Sequence, residues 1–155
     1  MPASVPTHFT SAGTDTVTDS IARTAPKIAQ VLRGIHRRAP HARVVVVGYP
    51  DLFPEDGVGC TGAKVPLAAG DFSYPRDEEK ERSGMLARQA RRGGAEYVDT
   101  YAPTVGHDRC RPAADRWIET FAPESPAAPA HPDAKGESAM AGAVERGLSR
   151  HTWHR

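Results

Sequence analysis

No part of this 155-residue chain is apolar over anything near the roughly 20 residues that a membrane-spanning helix needs. The stretch from Met1 to Thr18 has neither a basic opening nor an apolar centre, so it does not read as a secretory signal peptide. No glycine-rich phosphate loop follows a strand, and no paired-cysteine zinc motif occurs; no metal and no cofactor is expected. Charge of one sign is not in excess: 20 Lys+Arg stand against 19 Asp+Glu, a net +1. Such a balance gives no grip on nucleic acid or an anionic membrane. Internal repeats are absent, and so is asparagine. What remains is ordinary for a globular domain, if slightly poor in apolar residues, at 39% apolar and 25% charged, and the length suffices for one core.

Cysteine is scarce. Cys60 and Cys110 both fall in segments that read as loops, beside Gly or charged residues, whereas buried structural thiols favour apolar strands. Two free thiols and one disulfide are both open from composition alone. A disulfide would close a loop of about 50 residues and stabilise the fold by at most roughly 4 kcal/mol in the chain-entropy picture. It would also call for an oxidising compartment, in tension with the lack of a signal peptide.

Taken in order, residues 1–17 are rich in Thr, Ser, Pro and Gly without a period and read as a poorly ordered tail. A domain follows over residues 18–149, and residues 150–155 read as a second tail. From Thr18 to Arg38, Ile21, Ala25, Ile28, Leu32 and Ile35 recur at helical spacing. Pro26 interrupts this helix, which either starts near Thr24 or kinks at the proline. Arg33, His36, Arg37 and Arg38 suit a helix C-terminus, which also accounts for His36 and His41 without a metal. Val44–Val47, closed by Gly48-Tyr49-Pro50, predicts a strand buried on both faces of a parallel sheet. Helices on both sides of it in sequence give an α/β layered fold, whose working loops lie at the C-terminal ends of strands, here Tyr49–Phe53.

Residues 54–75 read as one long irregular loop, functional or disulfide-held. Arg76–Arg92 predicts a charged helix with Met85, Leu86 and Ala90 on its thin apolar side, ended by Gly93-Gly94. Ala95–Tyr101 reads as a second, shorter strand. His107, Asp108 and Cys110 share a loop, and Trp117, Ile118 and Phe121 form a small apolar cluster. A last helix, Lys135–Leu148, carries Met140, Val144 and Leu148 at spacing four with Ala143 beside them. His151 and His154 read as solvated.

The chemistry-bearing candidate is His131. Pro123–Ala130, rich in Pro and Ala, delivers it directly before Asp133, which is placed to cap the last helix. A stiff loop at a helix start is a common way to present an imidazole. The plain alternative is a surface histidine in a linker.

Four blocks then occur together: Arg38-Ala39-Pro40 with Val44–Pro50; Gly70-Asp71 with Tyr74; Tyr97–Tyr101 leading to Gly106-His107-Asp108-Arg109-Cys110; and Ala130-His131-Pro132 with Gly136 and Met140-Ala141. Over roughly residues 20–149 this resembles the C-terminal part of an actinobacterial secreted lipase/esterase of the SGNH (GDSL) hydrolase family. The resemblance implies a partial three-layer αβα sandwich around a parallel sheet whose N-terminal strands are missing. It implies hydrolysis of carboxylic esters or lipids by a Ser–His mechanism, a small-molecule ester or lipid as partner, and secretion. Of the family's four named residues only His131, the general base, has a counterpart here. No Gly-Asp-Ser occurs, Asp19-Ser20 being preceded by Thr18, and the Gly-Asn-Asp block is excluded by the lack of Asn. Ala128 stands where the family's Asp would precede the histidine. Some members orient the ring with a main-chain carbonyl instead. Trp117 is our candidate donor of that carbonyl, with the Glu124 side chain as second choice, while His107 and Asp108 read as loop structure. We assign Cys60–Cys110 as a disulfide. A sheet without its first strands would have an uncovered edge, open to pairing with another chain. A misplaced start or a disrupted gene is the expected reason for the absent blocks, which leaves an inactive remnant or an interaction module as the alternative to an esterase. A flavodoxin-like binding domain is remoter, for want of a phosphate loop.

Overall fold

The computed structural model of the protein describes residues 5–60, 62 and 64–149. The tail read at residues 150–155 lies outside the described residues. In chain order come helix α1 (Val5–Phe9), strands β1 (Thr10–Ser11) and β2 (Thr14–Asp15), helix α2 (Thr16–Arg38), strand β3 (Val45–Val47), helix α3 (Ser73–Arg92), strand β4 (Glu96–Val98) and helix α4 (Ala134–Ser149). Single 3-10 turns cover Ala69–Asp71 and Ala102–Thr104.

The N-terminal stretch read as a tail thus carries a short helix and a hairpin. Its two-residue turn, Ala12-Gly13, has positive φ at both positions, 49° and 78°, the twist that joins antiparallel strands tightly. Asp15 ends the hairpin and starts α2, accepting from the Val17 and Thr18 amides at 2.8 and 3.0 Å. With that cap in place α2 runs continuously through Pro26 to Arg38 rather than beginning there. The Ala39 amide closes its basic end by donating to the Ile35 carbonyl.

Strands β3 and β4 pair in parallel, with Val45, Val46 and Val47 opposite Glu96, Tyr97 and Val98. The ladder is extended at either end by the Glu96 amide on Val44 and the Gly48 amide on Val98, both at 2.9 Å. Successive residues of β4 point to opposite faces. Val98 meets α4, close against Gly147, and Tyr97 lies beside Ser83 of α3. Helices α3 and α4 therefore cover opposite faces. Leu32 of α2 packs against Gly93 at the end of α3, which places α2 in the α3 layer. This is the expected αβα layering on a parallel sheet.

Two expectations change. Strand β3 is not buried on both faces: Val45 and Val46 are half-buried, and Val47 is 38% exposed. Among the described residues β3 pairs with β4 alone, so its other edge has no strand partner. Helix α4 buries Gly136, Ala143 and Gly147 rather than the Met140–Val144–Leu148 row. Small residues let the helix backbone approach the sheet and the loop below it. The disulfide Cys60–Cys110 is formed, and the Cys60 amide also donates to Cys110 Sγ at 3.0 Å.

The start of α4 packs tightly against the loop below it. A Cβ on Gly136 would lie 2.5 Å from the Trp117 carbonyl oxygen and 2.9 Å from Pro132 Cβ, against backbone that cannot turn aside. A Cβ on Gly142, on the same helix, meets only the end of the Arg146 side chain, at 3.2 Å. Gly136→Ala is expected to lower stability by about 1–3 kcal/mol. Gly142→Ala is expected to be neutral or to stabilise by up to about 1 kcal/mol. Urea unfolding followed by circular dichroism checks both; equal midpoints for the two variants contradict this packing.

Candidate active site

The His131 loop is held as half of an antiparallel pair. Residues 117–120 run alongside 130–133, with the Ala130 amide donating to Thr120, the Glu119 amide to His131 and the Asp133 amide to Trp117, at 2.8–3.0 Å. Pro132 has no N–H to give and takes the place opposite Ile118, where none is needed. Ile118 is fully buried and anchors the pair from below. As the sequence suggested, Asp133 caps α4, accepting from the Lys135 and Gly136 amides at 2.8 and 2.9 Å. Before the histidine the chain turns tightly: the His131 amide donates to the Ala128 carbonyl at 3.1 Å, and Ala130 adopts a left-handed φ of 61°. A non-glycine residue in that region costs on the order of 1 kcal/mol or more, offset here by the bonds on either side.

The imidazole itself is exposed. Its Nδ1 stands 2.8 Å from the Pro129 carbonyl oxygen. A carbonyl only accepts, so Nδ1 carries the hydrogen and Nε2 presents its lone pair. The carbonyl facing the ring is therefore Pro129, not Trp117 as the sequence reading had it. The Trp117 carbonyl is taken by the Asp133 amide, and the Trp117 ring stacks on His107 at a centroid distance of 3.5 Å. His107 Nδ1 in turn pairs with the Asp115 carbonyl at 2.6 Å, a structural part. Glu124 does not reach His131; its carboxylate pairs with Arg116 and Lys64.

Beneath the loop lies an ion network in which Arg116 and Glu119 are buried and Glu124 is exposed. Arg116 Nη2 donates to Glu119 and to Glu124, each at 2.9 Å, and the Glu124 amide adds a 3.2 Å bond to Glu119. Burial acts to raise the Glu119 carboxyl, but hydrogen bonds from Ser125 and the charge of Arg116 hold it below the usual range. Since the Glu119 amide binds the His131 carbonyl, this network fixes the histidine from behind.

A second polar cluster occupies the C-terminal end of β3, where the sequence placed the working face. The Asp51 amide donates to Thr104 Oγ1 at 2.8 Å, and its carboxyl accepts from the Gly106 amide at 3.4 Å. Arg109 Nε donates to the Leu52 carbonyl at 2.9 Å, its guanidinium lying over the rings of Phe53 and Phe121. The Leu52 amide donates to Glu79 Oε2 at 3.2 Å. Nothing in the sequence marked Glu79, one of several acids on a charged helix. Burial raises its carboxyl to about 8, and burial with the nearby charge of Asp108 raises Asp51 to about 6. Both acids bind protons more tightly folded than unfolded. Folding therefore takes up protons, and stability falls as pH rises from about 4.5 towards 8. Glu79→Gln, neutral in both states, is expected to flatten that decline. Thermal melts from pH 5 to 8 check this, and a parallel decline in the variant contradicts it.

These features have counterparts in known proteins. A model of the GDSL-like Lipase/Acylhydrolase family matches residues 9–139. Lipase 2 of Streptomyces coelicolor is 40% identical over 120 residues, covering 77% of this chain and 41% of that protein. An esterase of Streptomyces scabiei is 32% identical over 117 residues, covering 70% of this chain and 34% of that protein. The chain thus spans less than half the length of these curated relatives. Among solved structures, phospholipase A1 of Streptomyces albidoflavus aligns with a TM-score of 0.71 at 22% identity, over 84% of this chain and 54% of that one. An extracellular lipase of Streptomyces rimosus aligns with a TM-score of 0.63 at 24% identity, over 87% and 58%. The structural likenesses establish the shared fold, and the family match, which takes in β3, β4 and the His131 loop, establishes that the chain belongs to the GDSL-like lipase/acylhydrolase family.

Proposed function

We propose that the chain serves the hydrolysis of carboxylic esters, lipids included, with His131 as general base. The observation that carries this is the 2.8 Å contact of Nδ1 with the Pro129 carbonyl in an exposed histidine, which calls for the hydrogen on Nδ1 and leaves the Nε2 lone pair free. In such a reaction a serine attacks the ester carbonyl, Nε2 takes the serine proton, and the same proton is later given to the leaving alcohol. Oxyanion donors stabilise the tetrahedral intermediate by roughly 2.7–4 kcal/mol each. No Gly-Asp-Ser block and no asparagine occur in the 155 residues, so this reading takes the nucleophile and the oxyanion donors from a segment joined to the chain on its N-terminal side. The edge of β3 that has no strand partner among the described residues is where the strands of that segment would add. Secretion fits the disulfide and the extracellular lipase among the structural relatives. Among the described residues no helix is long and apolar enough to cross a membrane. The absent blocks also support a second reading, a remnant without catalysis that acts, if at all, as an interaction module.

Turnover of p-nitrophenyl butyrate separates the two. The chain alone is expected to stay at the level of its His131→Ala variant. Joined behind the front part of a family member that carries a Gly-Asp-Ser block, it is expected to hydrolyse the ester. His131→Ala should then lower kcat by about a thousandfold or more without moving the melting temperature. A folded fusion without turnover favours the remnant, and turnover that survives His131→Ala removes His131 from the mechanism.

A further inference from the structure

A cavity of about 310 Å³ lies away from His131, between the N-terminal segment, α2, α3 and the loop after β3. Its wall is mostly apolar, from Phe9, Val17, Ile21, Leu52 and Phe53. Phe9 closes one side by stacking on Tyr74, whose hydroxyl donates to Asp15 at 3.1 Å. The polar part of the wall is confined to one strip of α3, made by Glu78, Glu79 and Arg82.

Among the described residues, that strip holds both donors and acceptors without hydrogen-bond partners. Glu79, 4% exposed, gives one oxygen to the Leu52 amide, while its Oε1 has no hydrogen bond. Glu78 is bonded through Oε1 by Thr18, and its Oε2 is likewise buried and unbonded. Arg82 lays its guanidinium over the Tyr49 ring at 3.8 Å, leaving Nε and Nη2 buried without acceptors. Arg82 Nη2 and Glu79 Oε1 are 3.8 Å apart, too far for a hydrogen bond and close enough for one oxygen to reach both. Buried polar atoms left in this condition are costly, so a group that serves them both gains correspondingly.

We propose that this cavity is a binding site for a short aliphatic alcohol, its hydroxyl set between Arg82 and Glu79 and its alkyl tail among Phe9, Val17, Ile21 and Leu52. A hydroxyl accepts from the guanidinium and donates to the carboxyl with one atom. Above pH 8, where Glu79 is ionised, a ligand carboxylate faces Glu78 and Glu79 and an ammonium faces Arg82, so both charged analogues are disfavoured. At roughly 30 Å³ for each water-sized atom the cavity takes about ten non-hydrogen atoms, which suits tails of five to eight carbons. Alcohols of this kind are one product of ester hydrolysis, yet the binding claim stands without any catalysis by the chain.

The test is titration of the 13C-labelled chain with 1-hexanol at pH 9, followed by side-chain carbon shifts, beside hexanoate and hexylamine. Saturable shifts are expected at Val17, Ile21, Leu52 and Phe53, with hexanol binding at least fivefold tighter than either charged analogue. Arg82→Met should weaken hexanol binding at least fivefold. Ile21→Phe, which fills the cavity and leaves the polar strip intact, should do the same, and it serves as the readout if Arg82→Met loses spectral dispersion. Shifts scattered over the surface, absence of saturation, equal binding of hexanoate or hexylamine, or unchanged affinity in the folded variants overturns the proposal. Ester turnover enters none of these readouts, so failure here leaves the hydrolase reading untouched, and failure of that reading leaves this one.

Discussion

The presentation of His131 depends on a few main-chain hydrogen bonds between residues 117–120 and 128–133. Each is worth only about 0.5–1.5 kcal/mol net. Together they fix the loop at both ends, so that Ala130 is kept in a left-handed conformation and the Pro129 carbonyl is delivered to the imidazole. The Asp133 cap and the Gly136 contact join the same clip to α4, and the Arg116–Glu119–Glu124 network supports it from inside. Remove the clip and the exposed histidine becomes an ordinary flexible side chain. Keep it and the ring has one hydrogen acceptor on Nδ1 and one free lone pair on Nε2.

Much of this was legible in the sequence because the signals are local. An aspartate directly before a helix reads as a cap, and Asp133 is one. The β-branched run at 44–47 gives a strand, and the apolar period over 18–38 gives the helix beside it. The loop clusters around Cys60 and Cys110 meet as a disulfide. The blocks around Val44–Pro50 and Ala130-His131-Pro132 pointed to the family that the match over residues 9–139 then established.

What was not legible depends on partners far along the chain. The burial of β3 was overestimated because a valine run reports apolarity, not how many neighbours the strand has. The family pattern points to Trp117 as the residue facing His131, while the carbonyl beside the ring is set by a turn at 128–131 that places Pro129 two residues away. Helix α4 looked like a Met–Val–Leu face; its contact is made by glycines and an alanine, whose value lies in close approach and leaves no mark in hydrophobic periodicity. The hairpin at 10–15 lacks the usual Asn-Gly or Asp-Gly turn, so Ala12-Gly13 gave no warning. Glu79 is one acid among many on a charged helix until the Leu52 loop folds over it.

The presentation of His131 is tested most directly by the tautomer of its ring. Long-range 1H–15N correlation of the imidazole, recorded on the intact chain at a pH where the ring is neutral, reads it without any need for turnover. The hydrogen is expected on Nδ1, with Nε2 unprotonated, as the Pro129 carbonyl requires. A ring protonated on Nε2, or one averaging between both forms, would show that the clip does not hold the histidine as described.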